Sequence, residues 1–220
     1  MSTFPLHYTM AVVDIERFGV RSDPDQQWLR DRMYEVLASA AGRAGIPWGR
    51  CASVDRGDSL AVLIPASVSK PVVAEGFVRE LLSGLRAHNR RSQDIVAMRM
   101  RMSLHAGEVS YDGRNWVGTA LNTACRLVDV PELREALQAN LDASLVLCVS
   151  DLWYQTVVRH DHGLVDHHAY TKIVVRQKEV EGPAWLYVAG LDFSLSAEAR
   201  NDSAVVRLRP RPGNHEPDWA

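Results

Sequence analysis

Tyr8-Thr9-Met10-Ala11-Val12-Val13-Asp14-Ile15-Glu16-Arg17-Phe18-Gly19 is an apolar strand that runs without a turn into an acid. Residues 8–13 have the β-branched and aromatic character of a buried strand, and Asp14 stands where that character stops. The same event recurs once. Cys51-Ala52-Ser53-Val54 breaks at Asp55-Arg56-Gly57-Asp58 and resumes as Ser59-Leu60-Ala61-Val62-Leu63-Ile64. That second stretch reads as two short strands joined by a tight turn, with Gly57 supplying the unusual backbone angles. A carboxylate at a strand end and another at a hairpin tip can converge on one Mg²⁺ or Mn²⁺, hard ions that take oxygen ligands and leave room for phosphates. Taken singly, Asp14 also reads as a helix cap and Asp58 as a turn residue.

A third segment bears on the choice. Met98 to Leu127 begins as an alternating strand, with Met98, Met100, Met102 and Leu104 on one face and Arg99, Arg101, Ser103 and His105 on the other. It turns at Asp112-Gly113 and enters a helix at Gly118-Thr119. On that helix Asn122 and Arg126 are four residues apart and share a face, leaving Leu121, Ala124, Cys125 and Val128 to pack inward. An amide one turn before a guanidinium suits negative charge developing on phosphate, because the Arg fork binds oxyanions in paired hydrogen bonds. An Asn and an Arg on a solvated helix face also occur without any function.

Together these pieces resemble the class III nucleotidyl cyclases, the family of adenylyl and guanylyl cyclase catalytic domains. The resemblance spans roughly residues 6 to 190. It rests on Asp-Ile-x-x-Phe at 14–18, Gly-Asp at 57–58, Gly-x-Val at 107–109 and Gly-x-x-x-Asn-x-x-x-Arg at 118–126. It implies two divalent metal ions, Mn²⁺ or Mg²⁺, on Asp14 and Asp58, with the Ile15 carbonyl as a further ligand. It implies that Asn122 orients the ribose and Arg126 stabilises the pentavalent phosphorus. A late lysine that touches the terminal phosphates matches Lys178, although Lys172 lies nearby and Glu179 stands where the family usually has glycine. The implied reaction is attack of the ribose 3′-hydroxyl on the α-phosphate with loss of pyrophosphate, a transfer that needs positioning and charge neutralisation. Backbone amides around Arg17, Phe18 and Gly19 would cradle phosphates. No Walker Gly-x-x-x-x-Gly-Lys is present, so a generic NTPase reading fails on its main motif.

The sequence departs from the purine cyclases at the base. Those enzymes carry a Lys four positions before the second metal Asp and an Asp three before the third-motif Gly, where this chain has Val54 and Asn115. An apolar wall gives little selectivity compared with a hydrogen-bonding one. A pyrimidine is therefore expected, as in the small Pycsar antiphage cyclases that make cyclic UMP or cyclic CMP, with UTP preferred and Trp48 and Trp116 narrowing the pocket. The alternatives are a purine cyclase and a degenerate module that binds nucleotide without turnover. The family resemblance also implies a homodimer in which one subunit supplies the metal carboxylates and the other Asn122 and Arg126. A cyclic-nucleotide-binding effector would read the product.

Composition fits a cytoplasmic enzyme. The chain has 220 residues, 46% of them hydrophobic, enough to bury one good core. Its formal net charge of −2 gives no reason to expect nucleic acid or a membrane surface as partner. Three cysteines, Cys51, Cys125 and Cys148, sit in apolar contexts and read as reduced core thiols. Neither a membrane-spanning run nor a signal peptide is evident.

The expected elements are a strand at 8–14, a helix at 24–44 with Asp23 as cap and Pro24 in its first turn, a hairpin of strands 49–55 and 58–64, and a helix at 70–89. A strand at 96–110 and the motif helix follow, then a short helix from Pro131, a strand at 145–149, a helix at 151–159 and strands at 169–176 and 184–189. The first six make βαββαβ, a ferredoxin-like core, and the rest add C-terminal α/β elements to an α+β fold. Residues 1–192 form one domain, and 193–220, polar and without periodicity, read as a disordered tail. His160, His162, His167 and His168 lack cysteine partners and ligand spacing, so they read as a solvated loop. His105 reads as structural and the methionine stripe as core filling.

Overall fold

The β1 strand, Leu6–Ile15, is an interior strand of the sheet, paired on both sides, and its register with its neighbours positions Asp14 and the hairpin tip that carries Asp58. The computed structural model of the protein describes residues 4–160 and 166–190. β1 pairs antiparallel with β3 (Ser59–Pro65) on one side and with β4 (Met100–Tyr111) on the other, and β2 (Ala52–Asp55) flanks β3. The order β2-β3-β1-β4, all antiparallel, is the ferredoxin-like sheet expected from the βαββαβ sequence. β6 (Leu145–Ser150) extends it by parallel pairing to β4. The antiparallel hairpin of β7 (Thr171–Gln177) and β8 (Val180–Val188) closes the far edge.

Helices cover both faces, which is why β1 and β3 are apolar almost throughout instead of alternating. α1 (Asp23–Arg43) and α2 (Val78–Asn89) pack on one face, over Val13, Ile15, Val62, Met100, Met102 and Leu104. The methionine stripe is thus core. On the other face α3 (Thr119–Val128) covers Met10, Val12, Ala61 and Leu63, using the Leu121, Ala124, Cys125 and Val128 side expected of it. α4 (Pro131–Ala139) covers β6 and the β7–β8 hairpin, and α5 (Asp151–Thr156) follows β6 directly. All three cysteines are free thiols, Cys125 and Cys148 fully buried.

Several boundaries differ from the sequence expectation, each for a local reason. Ser22, not Asp23, caps α1: its hydroxyl accepts from the Asp25 amide, which leaves Asp23 and Pro24 inside the first turn. Residues 48–50 form a 3-10 turn, so the second strand begins only at Ala52. The segment Val72–Phe77 before α2 is π-helical. The helix expected at 151–159 ends at Thr156, with a 3-10 turn at Val158–His160. A two-residue strand, β5 (Trp116–Val117), folds back on the end of β4 and was not foreseen. The tail expected at 193–220 lies outside the described residues.

Two motif glycines have a packing reason. A Cβ on Gly107 would sit 2.6 Å from the Ala120 Cβ of α3, and one on Gly118 would sit 2.9 Å from the Glu108 carbonyl oxygen. These glycines let α3 lie directly on β4, where Ser103 Oγ also donates to the Ala124 carbonyl at 2.6 Å. Gly107→Ala should therefore lower the unfolding free energy by about 1–3 kcal/mol through overpacking. Urea denaturation checks this; a variant as stable as the parent would show that α3 tolerates displacement.

Candidate active site

At the C-terminal end of β1, the Asp14 side chain projects onto the α3 face and is buried, 5% exposed. Its cross-strand neighbour is Arg101 on β4, and both Arg101 Nε (2.8 Å) and Nη2 donate to Asp14 Oδ1. Burial pushes the Asp14 carboxyl up to about 6 despite the pull of Arg101, and the charges of Asp58 and Asp129 add to the rise. Oδ2 receives no hydrogen bond among the described residues, and Arg101 Nη1 is a buried donor left without an acceptor. On the other side of Asp14, the Ile15 amide donates to the Asp58 carbonyl at 3.2 Å, which fixes the end of β1 against the hairpin tip. The structure therefore brings Asp14, Ile15 and Asp58 together, as the sequence leads one to expect.

The tip that carries Asp58 is clamped from α1, a feature with no sequence signature. Asp55 accepts from Arg30 Nη2 at 2.5 Å, from the Tyr34 hydroxyl at 2.6 Å and from the Gly57 amide at 2.8 Å. Arg30 Nη1 also donates to the Gly57 carbonyl at 3.0 Å. Burial and the Asp55 carboxylate push the Tyr34 phenol up to about 12, so it remains a donor at neutral pH. Asp58 itself is exposed and has no ion-pair partner among the described residues.

These donors suit a hard divalent ion. One Asp14 oxygen is uncommitted, the Asp58 carboxylate is exposed, and the Ile15 backbone is hydrogen-bonded to the Asp58 backbone beside them. Among the described residues no group of three or more His, Cys, Asp or Glu is placed to hold a metal ion, at this strand end or elsewhere, so the two carboxylates would need backbone and substrate oxygens to complete a coordination shell. His168 and Asp166 instead close a turn, the His168 amide donating to Asp166 at 2.9 Å. His162 lies outside the described residues.

Asn122 and Arg126 occupy the exposed side of α3. Arg126 Nε donates to Glu179 at 3.1 Å, and Glu179 sits with Lys178 on the two-residue turn between β7 and β8. Gln177 reaches the same helix end, its Nε2 donating to the Asp129 carbonyl at 3.4 Å. Lys178 therefore lies on the turn whose next residue contacts Arg126. Among the described residues no hydrogen bond or ion pair joins this group to Asp14 or Asp58.

Val54 and Asn115 line one cavity of about 420 Å³ with Ala52, Ser53, Asp55, Tyr111, Arg114 and Trp116. Its outer wall depends on Asp112, whose Oδ1 accepts from the Arg114 and Asn115 amides at 2.8 and 2.7 Å and so reverses the chain into β5. Trp116 then packs against Tyr8 and Tyr111, with ring centroids 5.2 and 5.5 Å apart. One expectation is corrected. Trp48 packs against the main core instead of narrowing this cavity, because the 3-10 turn at 48–50 directs it under the sheet. The Phe18 side chain is buried in the same core, so only its backbone faces the loop after β1, where Arg17 adopts a left-handed φ of 54°.

No protein-family model and no curated protein matches the sequence. Solved structures do. The chain is similar to the guanylate cyclase domain of a Catenaria anguillulae protein in complex with GTP (18% identity, 84% of this chain and 97% of that one, TM-score 0.58). It is also similar to an adenylate/guanylate cyclase/hydrolase from Silicibacter pomeroyi (17%, 84% and 97%, TM-score 0.57) and to the guanylyl cyclase Cya2 (15%, 85% and 93%, TM-score 0.58). The fold is that of class III nucleotidyl cyclase catalytic domains.

His105 gives this face a pH signature. Its Nδ1 lies 2.8 Å from Ser150 Oγ, and burial, with the charges of Lys70 and His7, lowers its pKa to about 4. Neutral in the fold but titrating near the ordinary value when unfolded, it stabilises the protein fully above pH 6.5, and that contribution is lost as pH falls towards 4. His105→Gln should remove roughly 2 kcal/mol of the stability lost across that window. Denaturation curves at pH 7, 5.5 and 4 read this out; parallel losses in both proteins would contradict it.

Proposed function

We propose that the protein is a nucleotidyl cyclase that converts a nucleoside triphosphate to its 3′,5′-cyclic nucleotide and pyrophosphate, with UTP as the preferred substrate. The observation that carries this reading is the pairing of two half-sites on one class III cyclase fold. Asp14, Ile15 and Asp58 form an oxygen-rich group at one end of the sheet, and Asn122, Arg126 and Lys178 form a donor-rich group on α3 and the β7–β8 turn. Two divalent ions, when bound, would acidify the ribose 3′-hydroxyl and neutralise the triphosphate. Asp14 and Asp58 would hold them with the Ile15 carbonyl. Asn122 holds the ribose so that its 3′-oxygen lies in line with the α-phosphate. Arg126 meets the charge that grows on the equatorial oxygens, and Lys178 holds the departing phosphates. Arg101, with one N–H lacking an acceptor, stands ready to exchange its bond to Asp14 for a phosphate oxygen.

Because the two groups do not touch within one chain, a homodimer with two shared sites completes them. Trp116 and Tyr111 offer a face for base stacking. Val54 provides a wall without hydrogen bonds, and Asn115 offers one donor and one acceptor edge, which suits the uracil imide. Purine cyclisation is the second reading: the cavity admits a larger base, and a neighbour of the same fold was solved with GTP. A cytoplasmic role in antiphage signalling, through an effector that binds the cyclic product, is the setting that uracil preference favours.

Purified protein with Mn²⁺ and each of the four nucleoside triphosphates should give cyclic UMP as the main product by mass spectrometry. Asp58→Ala, at an exposed position, should abolish it while leaving the protein folded, and Asp14→Asn should abolish it with circular dichroism checking that the unpaired Arg101 has not unfolded the protein. A purine cyclic nucleotide as main product selects the second reading, and no cyclic product from any substrate contradicts the proposal.

A further inference from the structure

Besides Val54 and Asn115, the acid at position 179 departs from the pattern the resemblance implies, in which glycine follows the phosphate-binding lysine. The structure shows what it does. Glu179 accepts from Arg126 at Nε only, so the guanidinium is gripped by its inner edge. Among the described residues nothing within the chain bonds its two terminal Nη groups. A guanidinium has five N–H groups in a rigid planar fork, so fixing the Nε edge also fixes the direction of the paired Nη edge.

The backbone supports the same arrangement. Lys178 adopts a φ of 52°, a left-handed conformation that a lysine rarely takes and that glycine or asparagine would fill more easily in a two-residue turn. With Lys178 at the first turn position, the second position falls to Glu179, next to Arg126. Gln177, one residue before the turn, ties the same hairpin to the Asp129 carbonyl at the end of α3. The ion pair is partly solvated, with Arg126 23% and Glu179 51% exposed, so it contributes little to stability. What it secures is orientation.

Resting on the cyclase reading, we propose that Glu179 is a positioning residue: it holds Arg126 by Nε so that the paired Nη groups face the phosphate undergoing attack. Through the same turn it fixes the separation of Arg126 and Lys178. The proposal predicts a defect in the chemical step with little change in substrate binding.

The test compares kcat and KM of the wild type, Glu179→Gln and Glu179→Gly with Mn²⁺ and the best nucleoside triphosphate. Glu179→Gly should lose about 10- to 100-fold in kcat, the cost of a misaligned catalytic group, with KM within about threefold. Glu179→Gln should recover part of the loss, because its Oε1 still accepts from Nε. Hydrogen exchange at the Arg126 Nε–H, assigned by its disappearance in Arg126→Lys, gives a readout independent of turnover. It should be slow in the wild type, faster in Glu179→Gln and fastest in Glu179→Gly. A kcat in Glu179→Gly equal to or above that of an active wild type would overturn the proposal, showing a spectator or a competitor of substrate. Equal Nε–H exchange in all three proteins would overturn it too. A wild type that makes no cyclic product strikes first at the cyclase reading, and the proposal falls with it.

Discussion

A carboxylate buried in a β-sheet is costly, and the fold is arranged around one. Asp14 lies at the end of the central strand, covered by α3, with Arg101 on its Oδ1 and its Oδ2 left open. Taking both charges out of water costs several kcal/mol, which such a pair repays only with very good geometry. Here the geometry is incomplete: one guanidinium nitrogen is buried without an acceptor, and burial still wins over the arginine in setting the Asp14 pKa. An apolar pair would pack this position with less cost. On the proposed cyclase reading, the pair would serve as an anchor for further charge, Asp14 Oδ2 for a cation and Arg101 Nη1 for an anion.

The rest of the structure delivers partners to that anchor. Antiparallel register puts Ser59 opposite Asp14 and so brings the β2–β3 tip, with Asp58, to the strand end. Arg30 and Tyr34 on α1 then hold the tip through Asp55. On α3 the glycines at 107 and 118 allow the helix to lie against β4, which sets where Asn122 and Arg126 emerge. The β7–β8 hairpin reaches back across the sheet and lays its turn on the same helix. The chain thus presents two groups, Asp14 and Asp58 with Arg101 at the strand end and Arg126 and Lys178 with Glu179 on α3 and the hairpin turn.

What the sequence made legible, and what it hid, follows from how far apart the interacting residues are. Strands and helices emerged from local periodicity: the Met98–Leu104 alternation and the Leu121–Val128 spacing both mark buried faces correctly. Asp14 and Asp58 were legible because each interrupts an apolar run. The Asp14–Arg101 pair was not, since it depends on the register of two strands 87 residues apart. The Arg30–Tyr34–Asp55 clamp likewise joins a helix face to a turn with no shared pattern. β5 was too short to signal itself, and its cause, the Asp112 side chain capping two amides, reads in sequence only as a turn. Trp48 was misplaced because aromatic residues near a site and aromatic residues in a core look the same until packing separates them. Glu179 was visible as a departure from the family pattern, but its meaning required seeing Arg126 beside it.

The central claim is that each group is half of a site that a second copy completes. Mixing Asp58→Ala protein, whose donor group is intact, with Arg126→Ala protein, whose acid group is intact, tests it most directly. In a verified heterodimer one of the two shared sites would carry both groups undamaged. The account predicts that the mixture regains cyclase activity that neither variant has alone. Heterodimers as inactive as their parents would contradict it.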